Sequence, residues 1–124
     1  LLPVEISQEI NQFLRWLRES KPGGTYRYHR GLLTVDRQRM YYEHTSAGGR
    51  RPVLVFVEPC HTLATVAYGA AMAGIAHLTQ HRRGEGDYAY IATRTAATGD
   101  TTQAGLVAAA NTATEPYFPI SNHN

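Results

Sequence analysis

An α+β domain is the fold class this sequence predicts. Three features carry the expectation: an amphipathic helical stretch at the start, a second helix built of small residues, and a glycine-bearing hairpin directly after it. Ile6, Ile10, Phe13, Leu14 and Leu17 recur at helical spacing, with Glu5, Glu9, Gln12, Arg15 and Arg18 elsewhere on the wheel. Apolar residues three and four apart share one face, so residues 7–19 are expected to be helical, with Ser7 as the N-cap. Lys21-Pro22-Gly23-Gly24 ends that helix, because neither proline nor glycine continues it well.

Thr25-Tyr26-Arg27-Tyr28-His29 is rich in strand-favouring side chains and reads as a short strand ending at Gly31. Leu32 to Tyr42 sets Leu32, Leu33, Val35 and Met40 among charges, which predicts a short helix. Residues 45–52 have the composition of a loop. Val53-Leu54-Val55-Phe56-Val57 has the length and continuity of a buried strand. Glu58-Pro59 opens a longer helix, since proline suits a first turn. Its Ala64, Ala67, Gly69, Ala70, Ala71, Ala73, Gly74 and Ala76 allow a neighbouring backbone to approach closely, as tight packing within the domain or as a homodimer seam.

Residues 77–82 and 87–94 flank Arg83-Gly84-Glu85-Gly86, and the glycines supply the positive φ that a tight connection needs. From Thr95 the chain is Ala-, Thr-, Gly- and Asn-rich, which predicts a loosely attached tail over 95–124 with one short helix near Ala104–Ala110. Helix, short strand, short helix, longer helix and hairpin is the order of a winged helix, here over residues 1–94. The hairpin takes the place of the wing.

Tyr28-His29-Arg30-Gly31-Leu32-Leu33-Thr34-Val35-Asp36-Arg37 resembles a Tyr-His-x-Gly-x-Leu-x-x-Asp-Arg stretch of small phage and prophage proteins. Gly74, Leu78-Thr79-Gln80-His81-Arg82, Gly84 and Tyr90-Ile91-Ala92-Thr93-Arg94 are similar to the helix end and hairpin of the same group. The resemblance covers roughly residues 8–94. It implies a phage origin and a winged-helix-like fold, carries no enzymatic signature, and leaves the molecular activity open.

The charge is uneven. Residues 20–51 hold seven of the twelve basic side chains against Asp36 and Glu43, and eleven of the twelve are arginine. A basic segment suggests an anionic partner. Arg30, Arg37 and Arg39, with His81, Arg82 and Arg83 at the hairpin, are therefore the candidate nucleic-acid contacts. Residues 62–76 contain no Lys, Arg, Asn or Gln to read base edges, so any such binding is expected to be weakly sequence-specific. The alternative is a regulator that grips a host or phage protein through a surface rich in the eight tyrosines.

Chemistry-bearing residues are sparse. Positions four apart on a strand lie about 13 Å apart, so His77 and His81 are not expected to share a metal ion. His29 with Asp36 or Glu43 forms a possible acid–base pair, or a bond that holds the strand-to-helix corner. Cys60 lies near a helix start, where a thiolate is favoured, but no base for it is evident along the chain, so its expected role is buried packing. The expectation is a non-enzymatic module with no cofactor and no metal. As the sole cysteine, Cys60 forms no internal disulfide, which fits the cytoplasm of a bacterial host. No run approaches the ~18 apolar residues of a membrane span.

Overall fold

The computed structural model of the chain describes residues 4–112 and 120–123, with side chains over 7–112. Helix α1 (Val4–Glu19) begins one turn earlier than expected and buries Ile10, Phe13, Leu14 and Leu17. Gly23, at φ +91°, turns the chain into β1 (Thr25–Gly31). One turn of helix, α2 (Leu33–Asp36), leads into β2 (Gln38–His44) and β3 (Arg50–Phe56). Then come α3 (Cys60–Met72), β4 (Ala76–Gly84), β5 (Asp87–Arg94), α4 (Gln103–Asn111) and β6 (Ile120–His123).

β1, β5, β4 and β6 form one sheet in that order, with β6 parallel to β4 and the other pairs antiparallel. β2 and β3 form a separate two-stranded sheet. The core lies between the main sheet and the helices, where Phe13, Leu17, Leu33, Val66, Ile75, Leu78 and Leu106 are fully buried. The hairpin expected at 77–94 is present, with Gly84 opposite Asp87.

Three expectations are corrected. The short helix over 32–42 is only one turn, and Gln38–His44 is a strand. Its side chains suit a strand once Arg50–Phe56 lies opposite, joined by a Thr45–Gly49 turn in which the Thr45 N–H donates to the Gly49 carbonyl. The apolar run at 53–57 is a strand through Phe56, but Leu54 and Phe56 are exposed, because among the described residues β3 pairs only with β2 and no layer covers it. The loosely attached tail is packed over its first part. Leu106 is buried, and α4 lies so close to α3 that a Cβ on Gly69 would run into the Leu106 carbonyl.

The small residues of α3 thus admit α4 of the same chain, and α3 is buried from Thr62 to Ala70. Thr102 caps α4, its hydroxyl accepting from the Gly105 N–H at 3.1 Å. The expected tail beyond residue 112 lies outside the described residues except for β6.

Arg94 ties these parts together. Its guanidinium donates to the carbonyls of Leu17 (2.7 Å), Thr95 (2.8 Å), Ala97 (2.7 Å) and, more weakly, Ile75 (3.3 Å). A cation is well placed on the terminal carbonyls of α1, and each charged hydrogen bond contributes about 1.5–3 kcal/mol. Arg94→Ala is expected to cost about 2–3 kcal/mol, read as a lower urea midpoint with an unchanged slope.

Candidate active site

The β1–α2 corner and the start of α3 meet at a cleft of about 470 Å³, lined also by Glu9 and Gln12 of α1 and by the connecting segment Val57-Glu58-Pro59. Cys60 opens α3 after a cis Glu58–Pro59 bond. The side chain of Glu58 anchors this first turn, accepting from the Thr62 N–H at 2.9 Å and the Thr62 hydroxyl at 2.7 Å.

His29 reaches the same place from β1. The pairing of β1 with β5 slips by one residue between Arg27 and His29, a bulge that leaves Tyr28 without a partner across the strands. Tyr28 is buried in the core, and the His29 ring packs beside Tyr90 at 5.7 Å. The Tyr90 hydroxyl accepts the Leu33 N–H at 3.0 Å and so fixes the start of α2.

Asp36 closes the arrangement. Its Oδ2 lies 2.8 Å from His29 Nε2 and also accepts the Leu32 N–H at 2.9 Å. Gly31, at φ +131°, sits inside this loop, and a Cβ there would collide with the Asp36 carboxylate. Glycine is required for both reasons, and it lets a carboxylate seven residues along the chain fold back onto the imidazole.

On its other side, His29 Nδ1 lies 3.6 Å from Cys60 Sγ. An ionised carboxylate only accepts hydrogen bonds, so the Asp36 contact requires the imidazole proton on Nε2. In the neutral imidazole that leaves the Nδ1 lone pair facing the thiol. Sulfur, imidazole and carboxylate therefore lie in the order that a nucleophile, a base and an orienting group take in nucleophilic catalysis.

Burial pushes the Cys60 thiol up to about 11, the charges of Asp36 and Glu58 add to the rise, and Arg37 opposes it. A thiol raised in this way holds little thiolate at neutral pH, so attack by this sulfur would need transfer of its proton to a neighbouring base such as His29. The carboxylate that disfavours a thiolate stabilises the imidazolium formed by that transfer. Arg37 is half-buried beneath the site. Its guanidinium lies 2.9 Å from His61 Nδ1 and 3.3 Å from the Thr65 hydroxyl. Burial and the Arg37 charge lower the pKa of His61 and keep its ring neutral, stacked on Phe56 at 3.8 Å.

The residues expected to contact nucleic acid are dispersed. Arg30 is paired with Asp87 through two contacts of 3.1 and 2.9 Å. Arg37 is engaged with His61 and Thr65 as described. Arg39 is exposed on β2, while His81, opposite Ala89, and the exposed Arg82 and Arg83 lie on β4. Arg30, Arg82 and Arg83 share one end of the main sheet, because Gly31 pairs with Tyr88 and Gly84 with Asp87. His77 and His81 both lie on β4, and no group of three or more His, Cys, Asp or Glu among the described residues is placed to hold a metal ion.

His29 with Asp36 was visible in the sequence as a pair, but Cys60 was not visible as its third member. The available signal was local: a glycine between His29 and Asp36, and a cysteine at a helix start. No family model matches the chain, and nothing among the curated proteins or the solved structures matches it.

Proposed function

We propose that the chain is a thiol-dependent acyl-transfer enzyme, with Cys60 as nucleophile, His29 as general base and Asp36 as the group that orients and stabilises the imidazole. The observation that carries this is the continuous relay from Sγ through Nδ1 and Nε2 to Oδ2, set in a cleft. The expected non-enzymatic module had no base for Cys60, and His29 supplies one.

In the first step Cys60 Sγ bonds to a carbonyl carbon as its proton passes to His29 Nδ1, and the carbonyl π pair moves onto oxygen. Collapse expels the leaving group, which takes the proton back from Nδ1, and leaves an acyl thioester on Cys60. Water then attacks the thioester, giving its proton to Nδ1. The sulfur departs and recovers that proton, releasing the acid.

The direct test uses p-nitrophenyl acetate and intact-protein mass spectrometry. One acetyl group is expected on the protein, mapped to the peptide containing Cys60. An unmodified Cys60 with acetylation spread over other side chains would overturn the proposal.

A second reading attaches to the β4–β5 hairpin. The succession α1, β1, α2, α3, β4, β5, with β5 between β1 and β4, supports a winged helix carrying β2–β3 as an insertion between α2 and α3. The buried α3 has no face to enter a major groove, so any nucleic-acid contact falls to the exposed Arg82 and Arg83 on phosphates. On this reading Arg82→Ala with Arg83→Ala lowers the slope of log affinity against log salt by about 1.8, at roughly 0.9 per contact. Duplex binding with an unchanged slope would remove the hairpin from the interface.

A further inference from the structure

The β2–β3 hairpin stands apart from the main sheet and shares no strand pairing with it. Residues opposite one another in an antiparallel pair share a face, so the register puts Met40 beside Leu54, Gln38 beside Phe56 and Tyr42 beside Pro52. Met40 (58%), Tyr42 (57%), Leu54 (52%) and Phe56 (56%) are all exposed on that face. A two-stranded hairpin is marginal by itself in water, and clustered exposed apolar side chains mark a contact surface. Both outer edges also lack a paired strand among the described residues, which leaves a template for strand addition.

The hairpin is inserted between two members of the relay. β2 begins just after Asp36, and the chain leaving β3 runs through Val57-Glu58-Pro59 along the cleft to Cys60. The hairpin is basic, with Arg39, Arg50 and Arg51 against Glu43. Arg51 donates to Glu43 at 2.6 Å, and Arg50 lies over the Tyr42 ring at 5.1 Å. Two copies meeting through this hairpin would bring like charges together, and a nucleic-acid duplex, its bases stacked inside, would present phosphates rather than apolar groups to this face.

We infer that the hairpin docks an extended polypeptide with alternating apolar and acidic residues, laid along β3 so that its acyl group reaches Cys60. This inference rests on the acyl-transfer proposal for the role of the docked chain as substrate, though docking itself needs no chemistry.

The test separates the two. Binding of a fluorescein-labelled decapeptide of alternating valine and glutamate is measured on Cys60→Ala protein, with a valine–lysine peptide as control. The glutamate peptide is expected to bind more tightly, and Met40→Ser with Leu54→Ser is expected to weaken it roughly a hundredfold while circular dichroism stays unchanged. Equal binding of the two peptides, or indifference to the hairpin variant, overturns the inference. So does an oligonucleotide that binds through the same residues, or a protein mass that doubles with concentration and reverts in the variant. The glutamate peptide as a C-terminal thioester is expected to acylate wild-type protein with a higher kcat/KM than a simple acetyl thioester. Equal values remove the substrate role. If the peptide docks and neither thioester acylates Cys60, the acyl-transfer proposal falls and the docking surface stands.

Discussion

Cys60→Ala is expected to abolish acylation by p-nitrophenyl acetate, and His29→Gln is expected to lower its rate about a hundredfold to ten-thousandfold, the range a positioned general base contributes. The size of the second effect follows from the state of the sulfur. With its thiol pushed up to about 11, Cys60 holds almost no thiolate at neutral pH, so removal of the base leaves only that minor fraction to react. Asp36→Asn is expected to fall between wild type and His29→Gln. An amide at that position can donate to Nε2, which would move the imidazole proton to Nδ1 and turn it toward the sulfur. Stopped-flow measurement of p-nitrophenol release separates the acylation step from turnover. Equal rates for wild type and His29→Gln would show that the imidazole takes no part.

Gly31→Ala is expected to lower acylation about a hundredfold although it replaces no residue of the relay. Its methyl group would occupy the position of the Asp36 carboxylate, and its φ of +131° is one that a side chain rarely tolerates. Relief of both problems moves Asp36 away from Nε2, leaving the imidazole without the contact that sets its tautomer. The backbone strain costs about 1–3 kcal/mol of stability, which thermal melting reads independently. A variant that melts early but acylates at the wild-type rate would show that Gly31 serves the corner and not the site.

Much of the fold follows from local pattern. The apolar spacing of Ile10, Phe13, Leu14 and Leu17 and the glycines around Glu85 correspond to α1 and to the β4–β5 hairpin. Periodicity misleads at Gln38–His44, because charges interspersed among apolar residues satisfy a short helix as well as an exposed strand. Only the partner strand, beyond a turn at Thr45–Gly49, decides between them. The run at 53–57 invites burial by composition, but burial depends on whether another layer covers the strand, which one segment cannot reveal. The small residues of α3 announced a close neighbour without identifying α4 as that neighbour.

The site divides along the same line. His29 and Asp36 are seven residues apart across a single corner, so their pairing is a local matter. Cys60 is separated from His29 by 31 positions and by the whole β2–β3 hairpin. Its partnership depends on how α3 packs against β1, which is a tertiary fact. The arginines were legible as charges but not as partners. Asp87 holds Arg30, and His61 and Thr65 hold Arg37.

The central claim is that His29 takes the Cys60 proton as the sulfur attacks. The pH dependence of the acylation rate tests it most directly, in wild type and in His29→Gln. In the variant, reaction needs the thiolate, whose fraction rises with pH through the elevated pKa of the buried thiol. Its rate is expected to climb about tenfold per pH unit and level off near 11. Wild type is expected to exceed the variant and to depend less steeply on pH below 11, because transfer to His29 replaces the need for a standing thiolate. Superimposable profiles, both rising without a plateau toward 11, would contradict proton transfer to His29.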